Sequence, residues 1–386
     1  MEGKMNINTN NIDDFGWKSE EPAAFQSLRS ALMAYFGTYH STLQVRPITP
    51  LTTVSRLETY EIEEYKNLYF TAITHLQHFF EYILKDALNQ INPIFSAEFN
   101  KDGFEQIYFT VVGNRTLEEL ETENLKSIEF DEALNRLKRI KKIDSTNEKI
   151  SNSQNLIDNE NTLKILNLLR NRIWHKSLFF LQYYNLDLFM GKKVFPLIKK
   201  VMESSRYSDR KSWKYKLLFC EIDPIDAIIK ECESETPSFE RIGLLKELGR
   251  ASYNNPLVMY PKGKNDSKSE TIQDIFRRPF VLNSTYAYYI NKDKIEESLA
   301  RVNGICSNNI PFDVYECPVC GQKTLIKYEF MDFEEGVDAN GNECRIDLMI
   351  PEKLHCETCS FHVEDNITDL SLIGITNSNF WKEYEL

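Results

Sequence analysis

No run of apolar residues in this chain is long enough to cross a bilayer. Stretches such as Leu178–Leu181 fall far below the roughly 20 residues that a helical span needs. Met1–Asp14 is polar, rich in Asn and without an apolar stretch. No secretory leader is expected there, and the expected location is cytoplasmic, where thiols stay reduced. Internal repeats are missing as well, which sets aside solenoid architectures. Positive charge is in deficit. With 46 Lys and Arg against 58 Asp and Glu, the net charge of −12 excludes a nucleic-acid coat over the whole surface. A local basic patch stays compatible with it, because charges beyond a Debye length of about 8 Å hardly act on one another.

The 386 residues suffice for two or three domains, each with its own core. At 42% hydrophobic and 27% charged, the composition is that of a globular protein. The 24 Phe and 19 Tyr supply large side chains to fill several cores or to stack on bases. Eight cysteines in a reducing compartment point to metal binding or simple burial rather than disulfides.

Apolar residues at helical spacing predict a helix over Ala23–Phe36 and a long one over Glu61–Ile91, closed by Asn92 and Pro93. Ile107–Val112 reads as a short strand. Leu117–Ile143 reads as a helix, acidic at its start and basic at its end as the helix dipole favours. Ser145–Asn159 is a polar loop. The next helix is expected from Asn161, with Leu163, Leu166, Leu169 and Ile173 inward, through His175 to about Leu188. Gly191 then introduces a short helix, Val194–Met202. Pro224–Glu233, Phe239–Leu248 and Lys292–Val302 look helical, Phe280–Ile290 extended, and Asn254–Lys268 a surface loop or linker.

From Phe312 the pattern changes to strands, turns and paired cysteines. Cys317-Pro-Val-Cys320-Gly321 and Cys356-Glu-Thr-Cys359 are two C-x-x-C knuckles, each able to aim two thiolates at one ion. Gly321 relieves crowding where the backbone turns back. Leu325–Phe333 and Arg345–Ile350 read as strands joined through an Asn340-Gly341 hairpin turn. This plan resembles a zinc ribbon, which implies one structural Zn2+ per chain on Cys317, Cys320, Cys356 and Cys359. Four thiolates leave no open coordination position, so such an ion is no catalyst. The alternative is two C-x-x-C pairs buried as small hydrophobes. Cys344, His355 and His362 lie near enough in sequence to be substitutes, while Cys220, Cys232 and Cys306 have no paired spacing and read as buried thiols.

Chemistry of a different kind is suggested by Arg170-Asn171-Arg172-Ile173-Trp174-His175, on a predicted helix after a polar loop. Arg, then Asn, then His after four intervening residues resembles the signature of the HEPN family (higher eukaryotes and prokaryotes nucleotide-binding). The upstream helix around Ala72–Lys85 is similar to the family's first core helix, with Glu81 near the place of its acidic residue. The resemblance covers about Tyr60 to Met202, with a longer insertion between Pro93 and Asn161. It implies a helical bundle, a homodimer, and a metal-independent endoribonuclease serving as a toxin or antiviral defence effector held by an inhibitory or activating protein partner.

RNA carries its own nucleophile in the 2′-OH. Histidine titrates near neutral pH and suits the proton transfers, while arginine presents a fork of donors to phosphate. The resemblance therefore assigns proton transfer to His175, phosphate stabilisation to Arg170, orientation of His175 to Asn171 and a positioning role to Glu81. At about 100° per residue, Arg170 and His175 stand roughly 140° apart on one helix. A composite site across a dimer is then needed. The bland alternative is a surface Arg beside a half-buried Trp174-His175 pair, and His75 and His78 read as partly buried helix histidines.

RNA contact is expected from Arg206, Arg210, Lys211, Trp213 and Lys214, where cations interleave with an aromatic, and less so from the run Arg136, Lys138, Arg139, Lys141 and Lys142. Glu329, Asp332, Glu334 and Glu335 make the ribbon acidic, which suits a protein partner or a purely structural role. The expected fold is mainly α: an N-terminal tail and helix over 1–59, a HEPN-like helical bundle over 60–203, a mixed α/β region over 204–310, and a small β zinc ribbon over 311–386. A non-catalytic module that binds RNA, nucleotide or protein is the competing function.

Overall fold

The computed structural model describes residues 22–42, 59–98, 104, 108, 126–147, 149, 153–176, 180–216, 218–255, 257–259, 288–290, 292–306, 313–337 and 343–385. It is mainly α. Helix α1 (Ala23–Gly37) starts after Pro22 and buries Phe25, Leu28, Leu32 and Phe36, the stripe that the sequence spacing marks. It lies along α2 (Thr59–Ile91), whose 33 residues extend for about 50 Å. The Asn92 side chain accepts from the Ile94 N–H at 3.1 Å, and Pro93 follows, so α2 stops there.

Helix α3 (Phe130–Ile143) has Asp131 and Glu132 in its first turn and Lys141 and Lys142 in its last, matching its dipole. It does not reach back to Leu117 as a continuous helix, because Ser127 is extended and bridges Ala97. Most of Ile107–Val112 lies outside the described residues; Tyr108 is helical rather than extended. The loop expected over Ser145–Asn159 contains a short helix, α4 (Gln154–Asp158).

Helix α5 (Glu160–Lys176) packs against α2 and α3. It does not run on to the expected Leu188. Gln182, at φ −59° and ψ 145°, is extended, and α6 (Tyr183–Phe189) starts a new direction. A π turn (Met190–Val194) leads into α7 (Phe195–Met202). Gly191 sits in that turn because a Cβ there would lie 2.4 Å from Cys232 Sγ. Helices α8 (Pro224–Glu233) and α9 (Phe239–Asn254) follow, capped by Asp223 and Ser238. Asn254 belongs to α9, and β1 (Leu257–Met259) pairs antiparallel with β2 (Tyr288–Ile290). The remainder of Asn254–Lys268 and of Phe280–Ile290 lies largely outside the described residues. Helix α10 (Lys292–Cys306) precedes the C-terminal sheet.

That sheet comprises β3 (Val314–Tyr315), β4 (Leu325–Val337), β5 (Glu343–Cys356), β6 (His362–Glu364) and β7 (Tyr384–Glu385). The order is β3-β4-β5-β6, all antiparallel, with β7 also on β5. Both hairpin strands outrun their expected bounds, and Asn340-Gly341 lies outside the described residues.

One buried cluster joins α1 through Leu28, α2 through Leu76, α9 through Leu245, the first knuckle through Cys320 and the sheet through Leu354 and Val363. It crosses the boundaries expected at residues 59, 203 and 310, so α1 belongs to the bundle and α9 is a platform for the sheet.

Glu247 of α9 anchors that platform. Its side chain is fully buried, bonded twice to Arg250 at 2.7 Å, to His40 Nε2 at 2.7 Å and to the His362 backbone N–H at 2.6 Å. Burial alone would raise its pKa, but Arg250 and His40 hold the carboxyl below the usual 4.5. Glu247→Ala leaves the Arg250 guanidinium without its anion and His40 without its acceptor, and an expected loss of about 3–5 kcal/mol follows, read by urea unfolding. Because the folded pKa is the lower one, this stabilisation is present above the unfolded pKa and disappears as pH falls below about 4.5. The difference between wild type and variant should narrow there.

Candidate functional site: a four-cysteine cluster and an Arg–His helix

The two C-x-x-C knuckles adopt the same loop twice. Cys317 N–H donates to Gln322 O at 2.9 Å and Gly321 N–H to Cys317 O at 2.8 Å. Cys356 N–H donates to Phe361 O at 2.7 Å and Ser360 N–H to Cys356 O at 3.0 Å. The residue after each second cysteine is left-handed, Gly321 at φ 69° and Ser360 at φ 62°. Only the first of these carries a sequence signal. Ser360 is held there from outside its loop, where Arg250 donates to its carbonyl and Asn254 to its Oγ at 3.3 Å.

All four sulfurs lie within 4.8 Å of one another, with Cys317–Cys359 at 3.5 Å and Cys320–Cys356 at 3.7 Å. A metal–sulfur bond of about 2.3 Å in a tetrahedron requires sulfurs about 3.8 Å apart. The donor set fits. Burial pushes the Cys317 and Cys359 thiols up, so thiolates there call for a neutralising cation, while the neighbouring thiols draw Cys356 down. His355 and His362 face each other across β5 and β6 with ring centroids 5.6 Å apart, and His362 Nε2 is 3.2 Å from Glu364. Both are spent away from the sulfurs. The Cys344 side chain lies outside the described residues.

Gly321 is pinned by more than its φ. A Cβ there would meet Phe219 Cδ2 at 2.5 Å, where Phe219 N–H and Cys220 N–H donate to Val319 O and Pro318 O. Gly321→Ala is expected to cost about 1–3 kcal/mol from overpacking and left-handed strain, measured as a lower melting temperature.

Comparison with family models, with curated proteins and with solved structures returns no match. The residues themselves must carry the reading.

Helix α5 presents Arg170 and Asn171 together. Arg170 Nη1 donates to Asn171 Oδ1 at 3.0 Å, and its guanidinium stands 5.9 Å from the Trp174 ring centroid. Arg170 Nε is buried and finds no acceptor among the described residues. Trp174 is 62% exposed, not half-buried, and Leu168 on the same helix is 50% exposed. Sequence periodicity missed both, since it marks which residues a helix buries and not which large ones it leaves out. His175 follows in the last turn, but its side chain lies outside the described residues. The helix is continuous from Glu160 to Lys176, so Arg170 and His175 keep their separation of five residues, about 7.5 Å of rise.

Glu81 is not part of this group. Its carboxylate accepts from Gln77 at 2.9 Å and Lys85 at 2.6 Å on its own helix; despite partial burial, these donors hold its pKa down. Burial pushes the Tyr69 phenol of α2 up to about 12 against the pull of the Arg172 guanidinium of α5. Glu81 is twelve residues further, about 18 Å along α2. His78 Nδ1 sits 2.7 Å from Ser27 Oγ, joining α2 to α1, and burial and then His78 lower the His75 pKa.

The expected RNA-binding cations are largely engaged. Arg206 grips Asp86 with bonds of 2.5 and 2.6 Å, and Lys214 pairs with Asp223 at 2.9 Å. Trp213 is 7% exposed and donates to Arg210 O, so its ring offers no stacking face. Arg210 and Lys211 remain exposed. In the other basic run, Arg136 is buried against Glu132, Phe95 O and Ala97 O, Lys138 pairs with Glu160, and Arg139 covers the Phe104 ring. Among the described residues no helix is long and apolar enough to cross a membrane.

Proposed function

We propose that this chain is a HEPN-like, metal-independent endoribonuclease acting as a homodimer, with one structural Zn2+ on Cys317, Cys320, Cys356 and Cys359. The observation that carries the nuclease reading is Arg170, held between Asn171 and the exposed Trp174 with a buried Nε that finds no acceptor among the described residues, on the helix that bears His175. A guanidinium so placed is ready for an anionic oxygen, and an exposed indole beside it offers a platform for a base. The exposed Leu168 and Trp174, about 120° apart around α5, are apolar contacts that a second copy can cover, bringing one chain's Arg170 toward the other's His175.

The 2′-OH then attacks phosphorus as His175 takes its proton. Arg170 stabilises the phosphorane, and the 5′-oxygen leaves with the proton that His175 has taken up, giving a 2′,3′-cyclic phosphate and a 5′-hydroxyl. Arg210 and Lys211 are the cations left to meet a passing backbone. The ion, closed in by four thiolates, has no open position for chemistry and serves the fold alone. A defence role and a restraining partner rest on the family resemblance.

The test incubates RNA with wild type, Arg170→Ala and His175→Ala in excess EDTA, with zinc content verified as retained. Cleavage by wild type alone supports the enzyme. Equal cleavage by all three places the activity elsewhere, and RNA retention without cleavage by any supports a non-catalytic binding module.

A further inference from the structure

Strand β4 runs on well past the metal site. It pairs with β5 along its whole length, but β3 covers its other side only at Leu325 and Ile326, and Lys327 N–H donates to Asp313 O at 3.0 Å. From Phe330 to Val337, about 26 Å of strand, no strand among the described residues lies on that outer edge. The outer side of β5 is instead taken by β6 at Lys353–His355 and by β7 at Leu348 and Met349. An open edge offers N–H and C=O groups at every second residue, a template for one more strand; here the Asp332 carboxylate already accepts from the Phe333 N–H at 2.8 Å.

Its side chains are ordered by chemistry. Met331 and Phe333, 62% and 50% exposed, share one face with Glu335 beyond them. Phe330, 46% exposed, shares the other with Asp332 and Glu334 beyond it. Apolar surface therefore lies toward the metal site and carboxylates toward the tip on both faces. The cation of this arm, Arg345, is already bonded to Asp347 at 2.6 Å and stacked over Phe333 at 4.2 Å. Arg345 stands across the ladder from Glu335, but no cation among the described residues forms an ion pair with Asp332, Glu334 or Glu335.

The geometry points to this edge as the docking site for an extended segment of another protein, apolar at one end and rich in Lys or Arg at the other, added to β4 as a further strand. Main-chain bonds supply affinity and the charge pattern selects the guest. A second copy of the arm would set carboxylates against carboxylates, and nucleic acid would bring phosphates to them.

The full-length protein is titrated with an eight-residue peptide of four valines followed by four lysines, and with its reverse, to cover both strand directions. One of the two is expected to bind at least about tenfold more tightly than the peptide with glutamates in place of lysines. Methylating alternate backbone nitrogens should abolish binding. The variant Asp332→Lys/Glu334→Lys/Glu335→Lys, checked for unchanged zinc content and melting temperature, should lose at least about tenfold in affinity. Equal binding by this variant, or by the methylated peptide to wild type, overturns the proposal. So does a dimer that the triple variant dissolves, or single-stranded RNA that binds wild type and not the variant through this arm.

Discussion

Cys359→Ser is expected to melt the helices and not only the C-terminal sheet. Wild type should hold one zinc per chain by elemental analysis, and the variant none. Structural zinc contributes on the order of 10 kcal/mol to small domains that fold around it. Here the knuckles are not tethered to the bundle but built into it. Phe219 and Cys220 bond the 317–320 loop, Asn255 Nδ2 donates to Val319 O at 3.3 Å, Arg250 holds Ser360 O, and Glu247 takes the His362 N–H. Losing the ion removes the partners of α9, whose Leu244, Leu245 and Leu248 lie in the common core. A fall in melting temperature of about 10 °C or more is therefore expected, in one transition followed at 222 nm. A sheet that unfolds alone while the helical transition stays put would contradict the shared core.

The second large effect tests the composite site. Arg170→Ala and His175→Ala should each lower cleavage by at least about 10²-fold, since one removes the charge opposite the phosphorane and the other the proton carrier. Mixed after unfolding and refolding together, the two inactive chains should recover activity. In a two-fold dimer each mixed pair retains one intact site, and half of the dimers are mixed, so about a quarter of wild-type activity is expected. Recovery is impossible if Arg170 and His175 act within one chain. No recovery from two variants that still dimerise would thus place the site in a single chain and remove the reason for a dimer.

The placement of Arg170 and the engagement of Glu81 bear on how such a site works. A carboxylate near the phosphate would oppose the charge that Arg170 is proposed to stabilise. Glu81 is spent on Gln77 and Lys85 of its own helix, and the end of α5 around Arg170 carries cationic, amide and aromatic groups. Trp174, half-buried in the bland alternative, is exposed, while Trp213, read as the stacking residue, is buried.

Several features were legible in the sequence because they are set by neighbours along the chain. Helical spacing marks the buried faces of α1 and α2, Asn92-Pro93 marks the end of α2, and paired C-x-x-C motifs mark four sulfurs that do converge. Gly321 announces its left-handed turn, whereas Ser360 does not. Its conformation is fixed by Arg250 and Asn254, more than a hundred residues away in the chain. The same holds for what each charge does. Arg206 and Lys214 look free in sequence, and only packing sets Asp86 and Asp223 against them. Local pattern therefore decided the elements and the four converging sulfurs. Tertiary structure alone decided which cations are neutralised, which aromatics are exposed and which strand edge stays open among the described residues, because these depend on partners that sequence separation does not reveal.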